Sequence, residues 1–497
     1  MVDFAAWLAN PAAVRVALFE VQVKSSGSLT TRFLSTQAFV TAPTDSPANQ
    51  YYDPVITTGI QFTEQLAIDG SGSFSIGDIE IINFTGERDT WLDDVWDNQP
   101  IQAWIGDPSW SRADFQMIFN GVVATIGSKS REVLNLTLSD KSQRLNTPVT
   151  DLKIGGNGTN KDNVLSLTFG EAHNVSPQLS NDVTLEYQVH DNAINGLIEV
   201  RDNGKPIANN SIGWANVTVN NATGRFTLGH ASAGAITASV QGDAYGGTYR
   251  STIATLVRRI VTGYGTASSR FLDSDIDLDN FSKFDSACPQ SVGVYAESGT
   301  NVLDLCNSLA SSVGAQLIMS RTGQLRLFQI GFQTGVTPVA IGPSQMVERS
   351  LQIASRPLVK ASVMLGFNKN WTIQDGLLTS IPDLHKTLFA TEWLTTTATS
   401  AQVQADYKLN AAPTQTDTML LKRLEADPEA SRQLALWSVP RNVFQFEGTS
   451  DLLVSLELGT AVTLTNKRFG LSNGKPGVVI SLAPNWLNGH VVVQVLV

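Results

Sequence analysis

Cysteine is almost missing from this 497-residue chain: Cys288 and Cys306 are the whole supply. Two thiols cannot staple a chain of this length, which excludes a disulfide scaffold and a Cys-rich zinc module. Cys306 falls on an apolar helical stripe, so buried free thiols are expected. Charge is also scarce, at 16% of residues, against roughly 25% in ordinary soluble domains. The charge present is 34 basic and 45 acidic residues, net −11. No basic stripe of the kind that grips a phosphate backbone is visible. Apolar runs are only a few residues long, so no segment is read as spanning a membrane. The opening MVDFAAWLAN lacks a basic start and a long apolar stretch. No signal peptide is expected from it, and the chain is read as made in a cytoplasm. The Asn-X-Ser/Thr triplets at Asn83, Asn135, Asn157 and Asn174 are read as products of composition.

Catalytic signatures are missing too. The five histidines (His173, His190, His230, His385 and His490) are scattered, with no HExxH and no pair at ligand spacing. No Walker loop occurs. Gly470 to Lys475 is one residue short between its glycines, and Pro476 stands where Ser or Thr belongs. A Gly-X-Ser-X-Gly elbow and a G-x-G-x-x-G after a strand are both lacking.

What remains are weaker candidates. Asp273, Asp275, Asp277 and Asp279 alternate and could converge on a hard cation such as calcium. An EF-hand loop, however, wants Gly where Leu278 stands and Glu where Phe284 stands, which favours a solvated loop or helix entry. Asp93 and Asp94, with Glu87 and Asp89 nearby, could serve acid chemistry or form an exposed acidic turn. Trp91, Trp96, Trp104 and Trp110 could stack a sugar, but their spacing fits core and interface packing better. The chain is therefore not expected to be an enzyme, and no catalytic, cofactor-binding or metal-binding residue is assigned and no cofactor expected.

Hydrophobic residues make up 42% of the chain, enough for real cores and, by length, for about three or four domains. Serine, threonine and glycine fill the place of the missing charge. That favours many short strands and turns over long exposed helices. A short helical pattern at 4–8 ends at Asn10-Pro11. In 14–23 the apolar phase slips at Leu18–Phe19, as a bulge or a strand between two buried faces would require. Further strands are expected at 72–76, 78–83, 101–105, 115–126 and 133–138. A Gly/Asn/Lys linker at 152–162 leads into 165–242, which holds only β patterns: 183–189, 197–201, 216–219, 225–228 and 235–240. At Thr252 the period changes. Ile253, Leu256, Val257, Ile260 and Val261 predict an amphipathic helix closed by Gly263. Val302, Leu305, Cys306, Leu309 and Val313 predict a second, opened by Thr300-Asn301 and stopped by Gly314. A hairpin follows, 315–319 with 325–330. The remainder mixes a strand at 359–367 with helical stretches at 400–409 and 428–437, and closes on strands at 443–447, 461–465, 477–482 and 491–497.

The expected fold class is mainly β with α+β parts, in four segments. Residues 1–150 form one β domain, 151–250 a small all-β insertion, 251–345 an α+β unit of helix, helix and hairpin, and 346–497 a second β domain with helical segments. Four stretches carry a family resemblance. They are WLDDVWDNQPIQAWI at 91–105 followed by Phe119 to Val123; Arg225 to Leu228 with Gly234 to Gly242; 295–330; and the pair Leu458 to Val462 with Gly477 to Ile480. In these the chain resembles the tail-tip (baseplate) hub proteins of tailed bacteriophages, of the long non-contractile-tailed kind, and of gene transfer agents.

That resemblance implies two tail-tube-like β-barrel or sandwich domains per chain, so that a homotrimer presents six and adapts a sixfold tube to a threefold tip. It implies a virion protein assembled in a host cytoplasm. Its partners would be a distal tail protein, the tail tube or tape measure protein, and the central fibre or receptor-binding proteins. The 165–242 module would decorate the outside, and DNA would pass without specific binding. A receptor-binding adhesin and a tail-associated cell-wall hydrolase are the alternatives. Residues 1–150 carry a net charge of −8. On this reading those carboxylates face a channel and keep exiting DNA from sticking.

Overall fold

The structure is a computed structural model describing residues 3–10, 12–58, 62–68, 73–207, 217–332, 335–377 and 379–497. Pro11, Gly72 and Asn216, which bound elements expected above, lie outside the described residues. The protein is mainly β, with several sheets, and folds into two compact units. The first joins residues 1–143, 318–358 and 440–497; the second joins 144–317 and 359–439.

In the first unit, a six-stranded antiparallel sheet runs in the order Ser28–Ser35, Val16–Ser25, Pro100–Gly106, Gln116–Ser130, Val133–Ser139, Ile79–Ile82. The phase slip at Leu18–Phe19 is resolved here. Val16–Ser25 keeps continuous register with both neighbours, so there is no bulge. Instead Val16, Ala17, Leu18 and Phe19 are all buried, because this strand carries apolar cover on both faces. Phe39, Tyr52, Trp104 and Phe115 pack with Val16 and Leu18 into one cluster. Its rings meet edge-on, Phe39 and Phe115 at 5.1 Å between centroids.

A second, eight-stranded sheet takes its strands from distant parts of the chain. Val339–Ile341 runs parallel to Ala461–Leu464. Lys475–Asn485, His490–Leu496, Val443–Gly448 and Gln352–Ser355 follow in order. Phe62–Gln65 pairs with Lys475–Asn485, and Ser73–Ile76 pairs with Phe62–Gln65. Phe62, buried on this sheet, lies 6.1 Å from Phe119 of the first sheet, centroid to centroid.

The second unit contains the β-rich stretch expected at 165–242. Lys205–Ile207, Ile194–Asp202, Ile236–Asp243, Leu167–Val175 and Gly293–Ala296 form a five-stranded sheet. A four-stranded sheet runs Gln178–Asn181, Glu186–Gln188, Arg225–Leu228, Val217–Asn220. Their inner faces share a core of Val175, Val189, Ile194, Val200, Phe226 and Val240, each burial contributing about 1.5–3 kcal/mol. Glycine is required where Leu167–Val175 meets Gly293–Ala296. Gly170 has φ +63°, and a Cβ there would stand 2.1 Å from the Val292 carbonyl oxygen. A Cβ on Gly293 would collide with the Glu171 backbone at 1.7 Å.

Helix Ile253–Gly263 forms as its apolar stripe predicts, with Ile253, Leu256, Val257, Ile260 and Val261 buried. Helix Val302–Ser311 is capped by Asn301, whose side chain accepts from Leu303 N at 2.8 Å. The hairpin of Ala315–Met319 and Leu325–Gln329 forms where the chain passes from the second unit back to the first. The helical stretches expected at 400–409 and 428–437 are Ala401–Tyr407 and Arg423–Trp437.

Candidate functional site

The second unit holds a group of buried ionisable side chains. Strand Ile236–Asp243 ends on Asp243, which has no exposed surface. Helix Ile253–Gly263 turns Arg259 toward it: Nε lies 3.0 Å from Oδ2 and Nη2 3.0 Å from Oδ1. This is a bidentate pair of the strong, charge-assisted kind. His190, also fully buried, places Nε2 at 3.3 Å from Asp243 Oδ1. The Thr168 backbone N–H donates to His190 Nδ1 at 3.3 Å. A backbone N–H can only donate, so Nδ1 is the accepting nitrogen and Nε2 carries the proton that faces the carboxylates. Tyr264 completes the group, its hydroxyl 3.1 Å from Asp243 Oδ1 and 3.2 Å from Asp191 Oδ1.

The electrostatics follow from these contacts. Burial alone raises the Asp243 pKa. The His190 and Arg259 hydrogen bonds and the Arg259 charge outweigh burial and hold the carboxyl well below the usual carboxylate range. The Tyr264 phenol is pushed far upward, first by burial and then by the charges of Asp191 and Asp243. His190 and Asp243 are sealed from solvent, and the cluster acts as a latch that ties a sheet strand to a helix.

The first unit has smaller groups, two of which border cavities. Glu64 is 6% exposed and accepts from the Arg321 backbone N at 2.7 Å. It lies beside a small cavity of about 140 Å³ with Arg326 and Glu457, which pair at 2.8 Å. Burial raises the Glu64 pKa, against the lowering charge of Arg321. His490 Nδ1 stands 2.6 Å from Glu447 Oε1, both half-exposed in a cleft of about 380 Å³ that includes Thr63 and Asn488.

The residues singled out from sequence do not converge. Asp273 pairs with Arg258, at 3.0 and 2.8 Å. Asp275 accepts from the Leu272 backbone N at 3.1 Å. Asp277 caps helix Leu278–Ala287 through Asn280 N at 3.0 Å, and Asp279 pairs with Lys283 at 2.6 Å. The alternating carboxylates therefore open a helix, and the four point to four partners. Among the described residues no cluster of three or more His, Cys, Asp or Glu could hold a metal. Asp94 pairs with Arg32 at 2.5 Å and Asp89 with the Asn83 amide at 2.7 Å. The tryptophans divide into two groups. Arg32 covers Trp91 at 4.2 Å, beside the buried Trp96, while Arg112 covers Trp104 at 3.9 Å and Trp110 packs on Trp7 at 4.6 Å. The arginines thus cover Trp91 and Trp104, and a sugar-stacking platform is not formed.

No known family profile matches the sequence, and no curated protein does. Solved structures give likenesses in outline. One is the 43 kDa tail protein of prophage MuSo2 from Shewanella oneidensis, with 11% sequence identity over 96% of this chain and 98% of that one, TM-score 0.40. A tail protein from Neisseria meningitidis matches with 11% identity over 96% of each chain, TM-score 0.37. A chain of a gene transfer agent virion matches with 11% identity over 72% of this chain and 91% of that one, TM-score 0.44. At these identities and scores the likenesses do not place the chain in a family.

Proposed function

We propose that this chain is a structural component of a phage-type tail tip: a hub that forms a homotrimeric ring, joins the tail tube or distal tail ring to the central fibre, and lines or closes the DNA exit channel. The observation that carries this reading is the construction of the first unit. One chain supplies two large, mostly antiparallel sheets, of six and eight strands, as a chain with two tube-like β domains would. Three such chains offer six sheets of this kind, the number needed to meet a sixfold tube with a threefold ring. Ring closure requires head-to-tail interfaces, and the low charge content suits large intersubunit surfaces. The −8 of residues 1–150 would line the channel and repel the passing duplex.

The proposal keeps the four-segment division of the sequence as its list of assembly modules. Mass measurement on the purified full chain tests the trimer. Three times 53.5 kDa is expected, with density for the ring at the tip of intact tails by electron cryo-microscopy. A stable monomer absent from virions overturns the proposal.

A further inference from the structure

Helix Ile253–Gly263 has a second face that its apolar stripe does not use. Thr255, Arg258, Arg259 and Thr262 follow at i, i+3, i+4 and i+7 and line a cavity of about 760 Å³ in the second unit. That volume lies within the roughly 300–1,000 Å³ typical of small-ligand sites. Arg250, Arg270 and Tyr245 are further parts of its wall. Four arginines thus line one cleft of a chain whose net charge is −11.

The four cations are not equally committed. Arg259 is taken by Asp243 and Arg258 by Asp273, each through two nitrogens. Arg250 donates to the carbonyls of Thr248 at 2.9 Å and Tyr245 at 3.4 Å; its nearest carboxylate is Asp243 at 3.7 Å, already held by Arg259. Arg270 is exposed and donates to the Gly265 carbonyl at 3.3 Å, with no carboxylate partner among the described residues. Asp191 is the remaining acid on the wall, and it is engaged by Tyr264 and His190. Arg270 therefore stands without a carboxylate partner among the described residues, and Arg250 has only Asp243, at 3.7 Å and shared with Arg259.

The hydroxyls add a second requirement. Thr262 Oγ1 donates to the Arg258 carbonyl at 2.8 Å, and the Thr255 hydroxyl is engaged by Thr252, 3.1 Å from its carbonyl and 2.7 Å from its Oγ1, where either hydroxyl can donate. Thr262 has spent its proton, so toward a ligand it offers only lone pairs and fits a partner that brings hydroxyl donors. Tyr245, 56% exposed with its ring 4.5 Å from the Arg259 guanidinium, adds a held aromatic edge.

We propose that this cleft binds an acidic sugar: an oxyanion, phosphate ester or carboxylate, met by Arg250 and Arg270, on a ring whose hydroxyls donate to Thr262 and hydrogen-bond with Thr255. The inference does not depend on the tail-tip reading. Titration calorimetry of the full chain tests it, with glucose 6-phosphate, glucuronate, neutral glucose and inorganic phosphate as probes, at low and high salt. Saturable binding is expected for at least one acidic sugar, tighter than for inorganic phosphate, weakened by salt and undetectable for glucose. The tighter of the two acidic sugars identifies the oxyanion. Arg270→Gln and Arg250→Gln each weaken binding by about tenfold or more, while Arg349→Gln, on an exposed side chain of the other unit, leaves it unchanged. Arg270 is exposed, so its variant keeps the fold. No saturable binding of either acidic sugar, binding by Arg270→Gln equal to the parent, or inorganic phosphate binding as tightly as both sugars overturns the proposal.

Discussion

Arg259 holds Asp243 by two nitrogens, each 3.0 Å from a different carboxylate oxygen, at a point where Asp243 has no exposed surface. An ion pair in such a place is costly to assemble and more costly to leave half-made. Asp243→Asn or Arg259→Met alone strands the other partner and is expected to destabilise the chain by about 3–5 kcal/mol. The Asp243→Asn/Arg259→Met double variant should recover part of that loss. Urea denaturation of the three variants measures the coupling, and fully additive losses would contradict the latch.

The same pair sets an acid limit. The folded-state pKa of Asp243 lies below its ordinary 3.8. The ionised form therefore contributes stability that is complete above that value and is lost as pH falls from about 3.8 through the folded pKa. Between pH 5 and pH 2 the stability of the parent should fall more steeply than that of Asp243→Asn, read as denaturant midpoints across that window.

Glu64 runs the other way. Its pKa is raised by burial above 4.5, so the folded chain binds the proton more readily than the unfolded one. Stability from this group is greatest below 4.5 and declines as pH rises through the folded pKa. Glu64→Gln keeps an acceptor for the Arg321 N–H and removes the titration. The stability of the parent relative to Glu64→Gln should rise as pH is lowered from 7 toward 4.5, and a flat difference would show that Glu64 is not the titrating group.

Both thiols are buried, and burial pushes Cys288 up to about 11 from an ordinary 9. At neutral pH such a thiol carries about 100-fold less thiolate than a free one. Cys306 is raised further, by burial alone. Neither should react with a thiol reagent at pH 8 until urea unfolds the chain, when two equivalents should be taken up. Prompt native-state labelling would place a thiol at the surface.

Some of this was legible in the residues. The stripe from Ile253 to Val261, closed by Gly263, defines its helix to the residue because a 3.6 period survives whatever packs on it. The phase slip at Leu18–Phe19 announced a strand buried on both faces, although a bulge fitted the letters equally well. Helix Leu278–Ala287 was half legible: its opening acids favoured a loop or helix entry, which Asp277 provides as the cap, but the helix beyond them carried no reading. The latch was wholly illegible: His190 and Asp243 are 53 positions apart, and no spacing rule brings a strand end, a helix face and a buried imidazole together. The cleft was half visible, because Thr255, Arg258, Arg259 and Thr262 are simply the polar remainder of the helix pattern.

The second sheet of the first unit has a consequence for the order in which the protein can be made. Phe62–Gln65 leaves the ribosome early, yet the strand it pairs with, Lys475–Asn485, emerges only after the whole second unit. The six-stranded sheet can close once Ser139 is out. Phe62–Gln65 must then wait with a bare hydrogen-bonding edge, an invitation to the wrong neighbour. In a cell producing many copies at once, that interval is where a chaperone or slow translation through the second unit would most affect yield.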